Sequence, residues 1–193
     1  LTPARRQLVV MVKEPKPGRV KTRLGRDIGM TNAAWWFRHQ VAGLLRRLDD
    51  PRWHLVLAVA PDQAGLRSRV WPAHLPRIAQ GPGDLGDRMG RLLRILPPGP
   101  VCIVGGDIPG LGPAHVARAF AMLGANDAVF GPAPDGGFWL VGMKRTAPPP
   151  AGLFRDVRWS SEHTLADSIA SLPGLRIGLT DTLNDVDSAA DLP

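Results

Sequence analysis

The segment Leu8-Val9-Val10-Met11-Val12 constrains the fold most. Five apolar residues without a polar alternation make a strand covered on both faces, because a strand with one wet face alternates. The same pattern recurs at His54 to Ala60 and Val101 to Val104, with a weaker version at Leu75 to Gln80. Between these runs lie amphipathic stretches. Thr31 or Asn32 is placed to cap a helix reaching Leu48, Asp84 to open one reaching Leu96, and Pro113 to open one reaching Leu123. A shorter helix is expected over Gln63 to Val70, and another from Ser160 or Ser161 to Leu172. Asp127 to Phe130, Phe138 to Met143 and Arg176 to Leu179 complete the strands, and a short helix follows Asp187. Buried strands alternating with helices predict an α/β fold with three α/β/α layers around a mostly parallel, Rossmann-like sheet. The chain has 193 residues, no repeat and no linker-like stretch, so residues 1–193 read as a single domain.

In such sheets ligands gather at the carboxyl ends of the strands. Two chemically loaded segments follow strands directly. After the first comes Lys13-Glu14-Pro15-Lys16-Pro17-Gly18-Arg19-Val20-Lys21-Thr22-Arg23-Leu24-Gly25-Arg26, with six basic residues and one acid. Prolines stiffen it, and Gly18 permits a sharp turn. Arg forks and mobile Lys charges suit phosphate oxygens, so Lys13, Arg19, Lys21 and Arg23 are candidate phosphate ligands. The alternative is a solvated or nucleic-acid-binding basic stretch. The segment is neither a Walker loop nor a dinucleotide fingerprint.

The fourth strand runs into Gly105-Gly106-Asp107-Ile108-Pro109. A carboxylate at a strand's carboxyl end suits Mg²⁺, which takes one or two carboxylates, waters and substrate phosphates. Alternatively Asp107 caps the next turn. Near the end of the chain, Asp185 and Asp187 point the same way if their segment is extended. They then share a cation, or Asp187 caps the last helix while Asp191 is a solvated charge. Asp135-Gly136-Gly137 offers a carboxylate and open backbone for a hydroxyl-bearing ligand, or is an ordinary hairpin turn. Gly83 and Asp84 stand at a helix entry, where backbone N–H groups can meet a phosphate or Asp84 can be a plain cap.

Other chemistries are disfavoured. Five histidines lack metal spacing, which argues against zinc, and no Gly-x-Ser-x-Gly elbow is present. The lone Cys102 lies in an apolar strand and reads as a small buried hydrophobe. A net charge of +7 favours anionic partners, but nothing matches a nucleic-acid-binding motif, so no specific nucleic acid is expected. The first six residues lack a signal-peptide core and no run reaches membrane-spanning length, so a cytoplasmic protein without a membrane span is expected.

Taken in order, Lys-Glu-Pro-Lys-Pro-Gly-Arg-Val-Lys-Thr-Arg-Leu from Lys13, Gln-Gly-Pro-Gly-Asp-Leu-Gly-Asp-Arg-Met from Gln80, Gly-Gly-Asp-Ile-Pro-Gly-Leu from Gly105, Gly-Pro-Ala-Pro-Asp-Gly-Gly-Phe-Trp-Leu-Val-Gly from Gly131, Trp159-Ser160-Ser161 and Asp-Val-Asp-Ser-Ala-Ala-Asp-Leu from Asp185 resemble a family of GT-A-like transferases, similar to the nucleotide-diphospho-sugar transferases. The match spans nearly the whole chain. Gly106 stands where Ser is common and Ser161 where Thr is common. The resemblance implies Mg²⁺ or Mn²⁺ at Asp107 and Asp187, and phosphate contacts from Lys21 and Arg23. It also implies acceptor or sugar contacts at Asp135, Gly136 and Gly137. Catalytic roles then fall to Asp107, Asp135 and Lys21. The partners implied are a nucleotide or nucleotide-sugar donor and an acceptor the sequence does not name. A more distant resemblance is to 2-phospholactate guanylyltransferase, whose implied chemistry is nucleotidyl transfer with release of pyrophosphate. The apolar run Phe138-Trp139-Leu140-Val141-Gly142 favours the first.

Overall fold

The computed structural model describes residues 5–192; residues 1–4, part of the N-terminal stretch read above for a leader, lie outside them, as does Pro193. Within the described residues, seven strands form one sheet: β1 (Gln7–Lys13), β2 (His54–Ala60), β3 (Arg77–Ala79), β4 (Val101–Gly105), β5 (Ala128–Pro132), β6 (Phe138–Met143) and β7 (Ile177–Leu179). Their order across the sheet is β3-β2-β1-β4-β6-β5-β7. All neighbours are parallel except β6, which runs against both β4 and β5. The sheet is mostly parallel, as its unbroken apolar strands require.

Among the described residues, six helices cover it: α1 (Thr22–Ile28), α2 (Met30–Leu48), α3 (Asp62–Arg67), α4 (Leu85–Ile95), α5 (Pro113–Met122) and α6 (Thr164–Ala170). Alternate residues of each central strand serve opposite layers. Leu8, Val10, Val12, Cys102 and Val104 pack beneath α2 and α5, together with Phe37, Val41, Leu44 and Phe120. Val9, Val101 and Ile103 pack against Met89, Leu92 and Leu93 of α4 on the other face. This is the expected three-layer α/β/α architecture. Cys102 is fully buried, and burial pushes its thiol well above the ordinary range. Among the described residues, no helix is long and apolar enough to cross a membrane.

Three local expectations change. The basic stretch is not loop as far as Arg26: a helix starts at Thr22, since Leu24 and Ile28 are apolar at helical spacing and Leu24 is buried. Gly29 joins α1 to α2, so α2 starts at Met30; Asn32 donates to the Ile28 carbonyl at 2.8 Å instead of capping α2. Ser160 and Ser161 sit in a turn ahead of α6, where the Ser161 hydroxyl accepts the His163 N–H at 3.2 Å.

Candidate functional site

Strand order reverses at β1: β2 and β3 lie to one side, β4 to the other. β1 and β4 stay paired as far as Gly105, and the segments that leave their carboxyl ends border a crevice at the sheet edge. A cleft of about 990 Å³ lies there. It is lined by Lys13 and Arg19 through Arg23 after β1, Gly105 through Ile108 after β4, Asp135, Gly137 and Phe138 of the β5–β6 hairpin, and Trp159. Gly83, Asp84 and Arg88 at the start of α4 reach it too, as do Asp185 and Asp187.

The segment after β7 brings the last two aspartates back to this rim. Thr180 N–H donates to the Phe130 carbonyl at 2.9 Å and Leu183 N–H to that of Pro132 at 3.2 Å, extending β7 alongside β5. Val186 N–H then donates to the Asp107 carbonyl at 3.2 Å. The Val186 side chain is buried with Leu24 and Ala33. Its burial turns Asp185 and Asp187 together toward the cleft, as an extended segment demands. Asp187 does not cap the final turn, Ala189–Asp191; Ser188 does. Nor is Asp191 an idle surface charge. It accepts from the N–H groups of Asp187 (3.1 Å) and Ser188 (2.8 Å) and from the Ser188 hydroxyl (2.8 Å), because a carboxylate that reaches back to the start of the turn can satisfy several orphan donors.

Lys21 was expected to face a phosphate; the structure pairs it internally. Its Nζ contacts Asp107 Oδ2 and lies 3.3 Å from Asp187 Oδ1, and its side chain is only 9% exposed. Arg23 donates to Asp187 Oδ2 at 2.9 Å from the exposed side. Burial alone would lower the Lys21 pKa, but the charge and hydrogen bond of Asp107, with the charges of Asp187 and Asp185, outweigh it and raise the value. Asp185 moves upward through burial and then through the charges of Asp107 and Asp187. Three carboxylates thus face two cations. Lys21 also holds a left-handed backbone (φ 48°) where α1 starts, a conformation costing a non-glycine residue about 1 kcal/mol.

Among the described residues, no three His, Cys, Asp or Glu side chains are arranged to hold a metal by themselves. Asp107 and Asp187 nevertheless converge on one cation, the Lys21 ammonium. Two hard oxygen donors and an open cleft suit an ion that completes its shell with water and phosphate.

The other expected residues divide. Lys13 and Arg19 are exposed and line the cleft. Gly83 and Asp84 reach it too, but the Asp84 N–H is taken by Asp87 Oδ2 at 3.1 Å, and Asp84 Oδ1 accepts the Asp87 N–H at 2.8 Å. That capping box uses a donor the sequence had offered to a phosphate. Asp135 is exposed and accepts the Gly137 N–H at 2.9 Å through Oδ1, as an Asp-Gly turn does. Gly136 is a packing position. At φ 86° its Cα faces the backbone of Glu162, and a Cβ there would come within 2.5 Å of Glu162 Cα. Its carbonyl accepts the Leu165 N–H at 2.9 Å, tying the hairpin to α6.

Sequence reasoning assigned no role to two features that line the cleft, the aromatic cluster around Trp159 and the buried Gln80. Trp159 packs with Phe138 and Phe154 at centroid distances of 6.4 and 5.8 Å, and Gly86 leaves room for it. Gln80 is buried, donating to the carbonyls of Val12 (3.1 Å) and Ala58 (2.8 Å) at the ends of β1 and β2. Its place directly after β3, next to Gly81-Pro82-Gly83, was the available signal: a buried amide needs partners.

No curated protein matches the chain. Among solved structures, a protein from Desulfovibrio desulfuricans G20, provisionally classed as a nucleotide-diphospho-sugar transferase, superposes with a TM-score of 0.83 and 29% identity, over 95% of this chain and 82% of that one. The inositol-1-phosphate CTP transferase from T. maritima gives a TM-score of 0.64 at 14% identity, covering 100% of this chain and 94% of that one. Rv0371C of Mycobacterium tuberculosis H37Rv, in complex with manganese, gives 0.54 at 16% identity, over 96% and 91%. The last two share the fold. Residues 44–161 match the family model described as "Uncharacterized protein conserved in bacteria (DUF2064)", and the chain belongs to that family.

Proposed function

We propose that the chain is a metal-dependent transferase acting on a nucleotide-activated donor, and that the donor is a nucleotide-diphospho-sugar from which a glycosyl group is transferred. One observation carries this reading. The basic residues after β1 and the Asp107–Asp187 pair meet at the point where strand order reverses, in a cleft large enough for a nucleotide and a second substrate. The likeness to the D. desulfuricans protein supports the sugar-nucleotide class.

Asp107 and Asp187 would hold Mg²⁺ or Mn²⁺, and the manganese complex of a protein with this fold supports that choice. When bound, the ion supplies charge neutralisation for the leaving phosphates. Lys13, Arg19 and Arg23 bind the donor's phosphates from the β1 side, and Lys21 adds its charge at the carboxylates. These contributions are electrostatic, directed at charge on the leaving phosphates. Asp135 has Oδ1 anchored by Gly137, which leaves Oδ2 to accept a hydroxyl proton from the second substrate.

The second reading is nucleotidyl transfer, supported by the shared fold of the T. maritima CTP transferase. Parallel assays with Mn²⁺ separate the two. Release of a nucleoside diphosphate from a panel of sugar nucleotides supports glycosyl transfer. Pyrophosphate release from nucleoside triphosphates with no turnover of any sugar nucleotide replaces it with the second reading, and inactivity in both sinks the proposal.

A further inference from the structure

We propose that Lys21 is the resident counter-ion of the Asp107–Asp187 pair, and that a divalent cation displaces it only when donor phosphates arrive to take the ammonium over. The inference rests on the nucleotide and metal reading above and adds what that reading does not contain: the ligand accepted is the metal–nucleotide complex, and the free ion is refused.

The geometry is specific. Lys21 Nζ contacts Asp107 Oδ2 and stands 3.3 Å from Asp187 Oδ1, so it occupies the space between the two oxygens an ion would use. Its side chain is 9% exposed, whereas that of Arg23 is 67% exposed and reaches only the outer oxygen of Asp187. A divalent ion entering beside a retained ammonium would share carboxylates with a like charge. Expelling the ammonium into the cleft without an anion would leave it unpaired in a cleft that Lys13 and Arg19 also line. A diphosphate resolves both costs at once, because its oxygens accept the ammonium and also ligate the ion. The lysine stem makes this exchange feasible: a point charge on rotatable carbons can swing, where a guanidinium fork bound to one carboxylate plane cannot do so as readily. Coupling of this kind is reciprocal, so the ion must strengthen nucleotide binding by the factor with which the nucleotide strengthens ion binding.

The test measures Mn²⁺ binding by electron paramagnetic resonance, without nucleotide, in the wild type, K21M and K21R. K21M is expected to bind free Mn²⁺ at least tenfold more tightly than the wild type, and K21R to remain near it. A cooperatively melting K21M with unchanged or weakened Mn²⁺ affinity overturns the proposal and leaves Lys21 as a pin for the 185–187 segment. Should K21M fail to fold, the wild type decides through NMR of ε-labelled lysines, of which the chain has four. A Lys21 resonance unmoved by Mg²⁺ alone and shifted by Mg²⁺ with a mixture of ADP, CDP, GDP and UDP supports the exchange. A shift with Mg²⁺ alone, or none in either case, overturns it. If no nucleotide binds at all in calorimetry, the functional reading itself has failed; if nucleotides bind but K21M leaves free Mn²⁺ affinity unchanged, only the exchange has.

Discussion

Replacing Gly136 by alanine separates a ligand-contacting role for this glycine from the packing role the structure assigns it. Two costs combine. The backbone sits at φ 86°, where a Cβ costs roughly 1 kcal/mol. The Cβ would also come within 2.5 Å of Glu162 Cα and 2.6 Å of its carbonyl carbon, backbone atoms that cannot rotate away. Overpacking of this kind costs about 1–3 kcal/mol, so the sum is about 3 kcal/mol. For a chain of this length, each kcal/mol moves Tm by about 2–4 °C, giving a drop of about 6–12 °C. Gly174 supplies the control: its φ is 79°, but nothing lies within 4 Å of the added carbon, so G174A loses only the strain, about 2–4 °C. Calorimetric melts of both variants give the comparison. If G136A melts no lower than G174A, the close approach of the hairpin to residue 162 is wrong, and Gly136 is free to serve a ligand instead.

Two further outcomes follow from the same structure. Val186→Ala removes two buried methyl groups beside Leu24 and Ala33 and should cost about 2 kcal/mol in urea denaturation. It should also weaken nucleotide binding in calorimetry, since Val186 aims its neighbouring aspartates; loss of stability with unchanged affinity would break that link. Arg158 holds Asp167 well below the usual carboxylate range through its side-chain hydrogen bond and then its backbone N–H. A depressed carboxylate contributes stability above its unfolded value and loses it as pH falls through the folded one. The denaturation midpoints of the wild type and R158A should therefore differ at pH 6, and the gap should begin to narrow only below about pH 4 and keep closing as pH falls further; a constant gap would show that the pair does not titrate.

The layers were legible because strands buried on both faces cannot alternate, and Leu8–Val12 and Val101–Val104 do not. Periodicity exposed α2, α4 and α5, because a helix buried along one face repeats its apolar residues every three to four positions. Helix α1 was hidden because Arg23 and Arg26 were read with the basic stretch, and only Leu24 and Ile28 mark its apolar side. Period-two geometry correctly turned Asp185 and Asp187 to one side, while the cap at Ser188 was missed because Asp187 was an equally good candidate by composition. Lys21 shows where local reading ends. Its partner Asp187 is 166 residues away, and no property of a basic segment reveals that one of its charges is already spent inside the protein. Gly136 failed in the same way, since Glu162 meets it only through the fold.

The most direct test is calorimetric titration of nucleoside diphosphates into the wild type and D107N, each with and without Mn²⁺. The account predicts that Mn²⁺ tightens binding to the wild type at least tenfold and has little effect on D107N, with both proteins folded. Binding that is indifferent to Mn²⁺ in the wild type, or equally enhanced in D107N, would contradict the assignment of the β4 carboxylate as the metal-holding group.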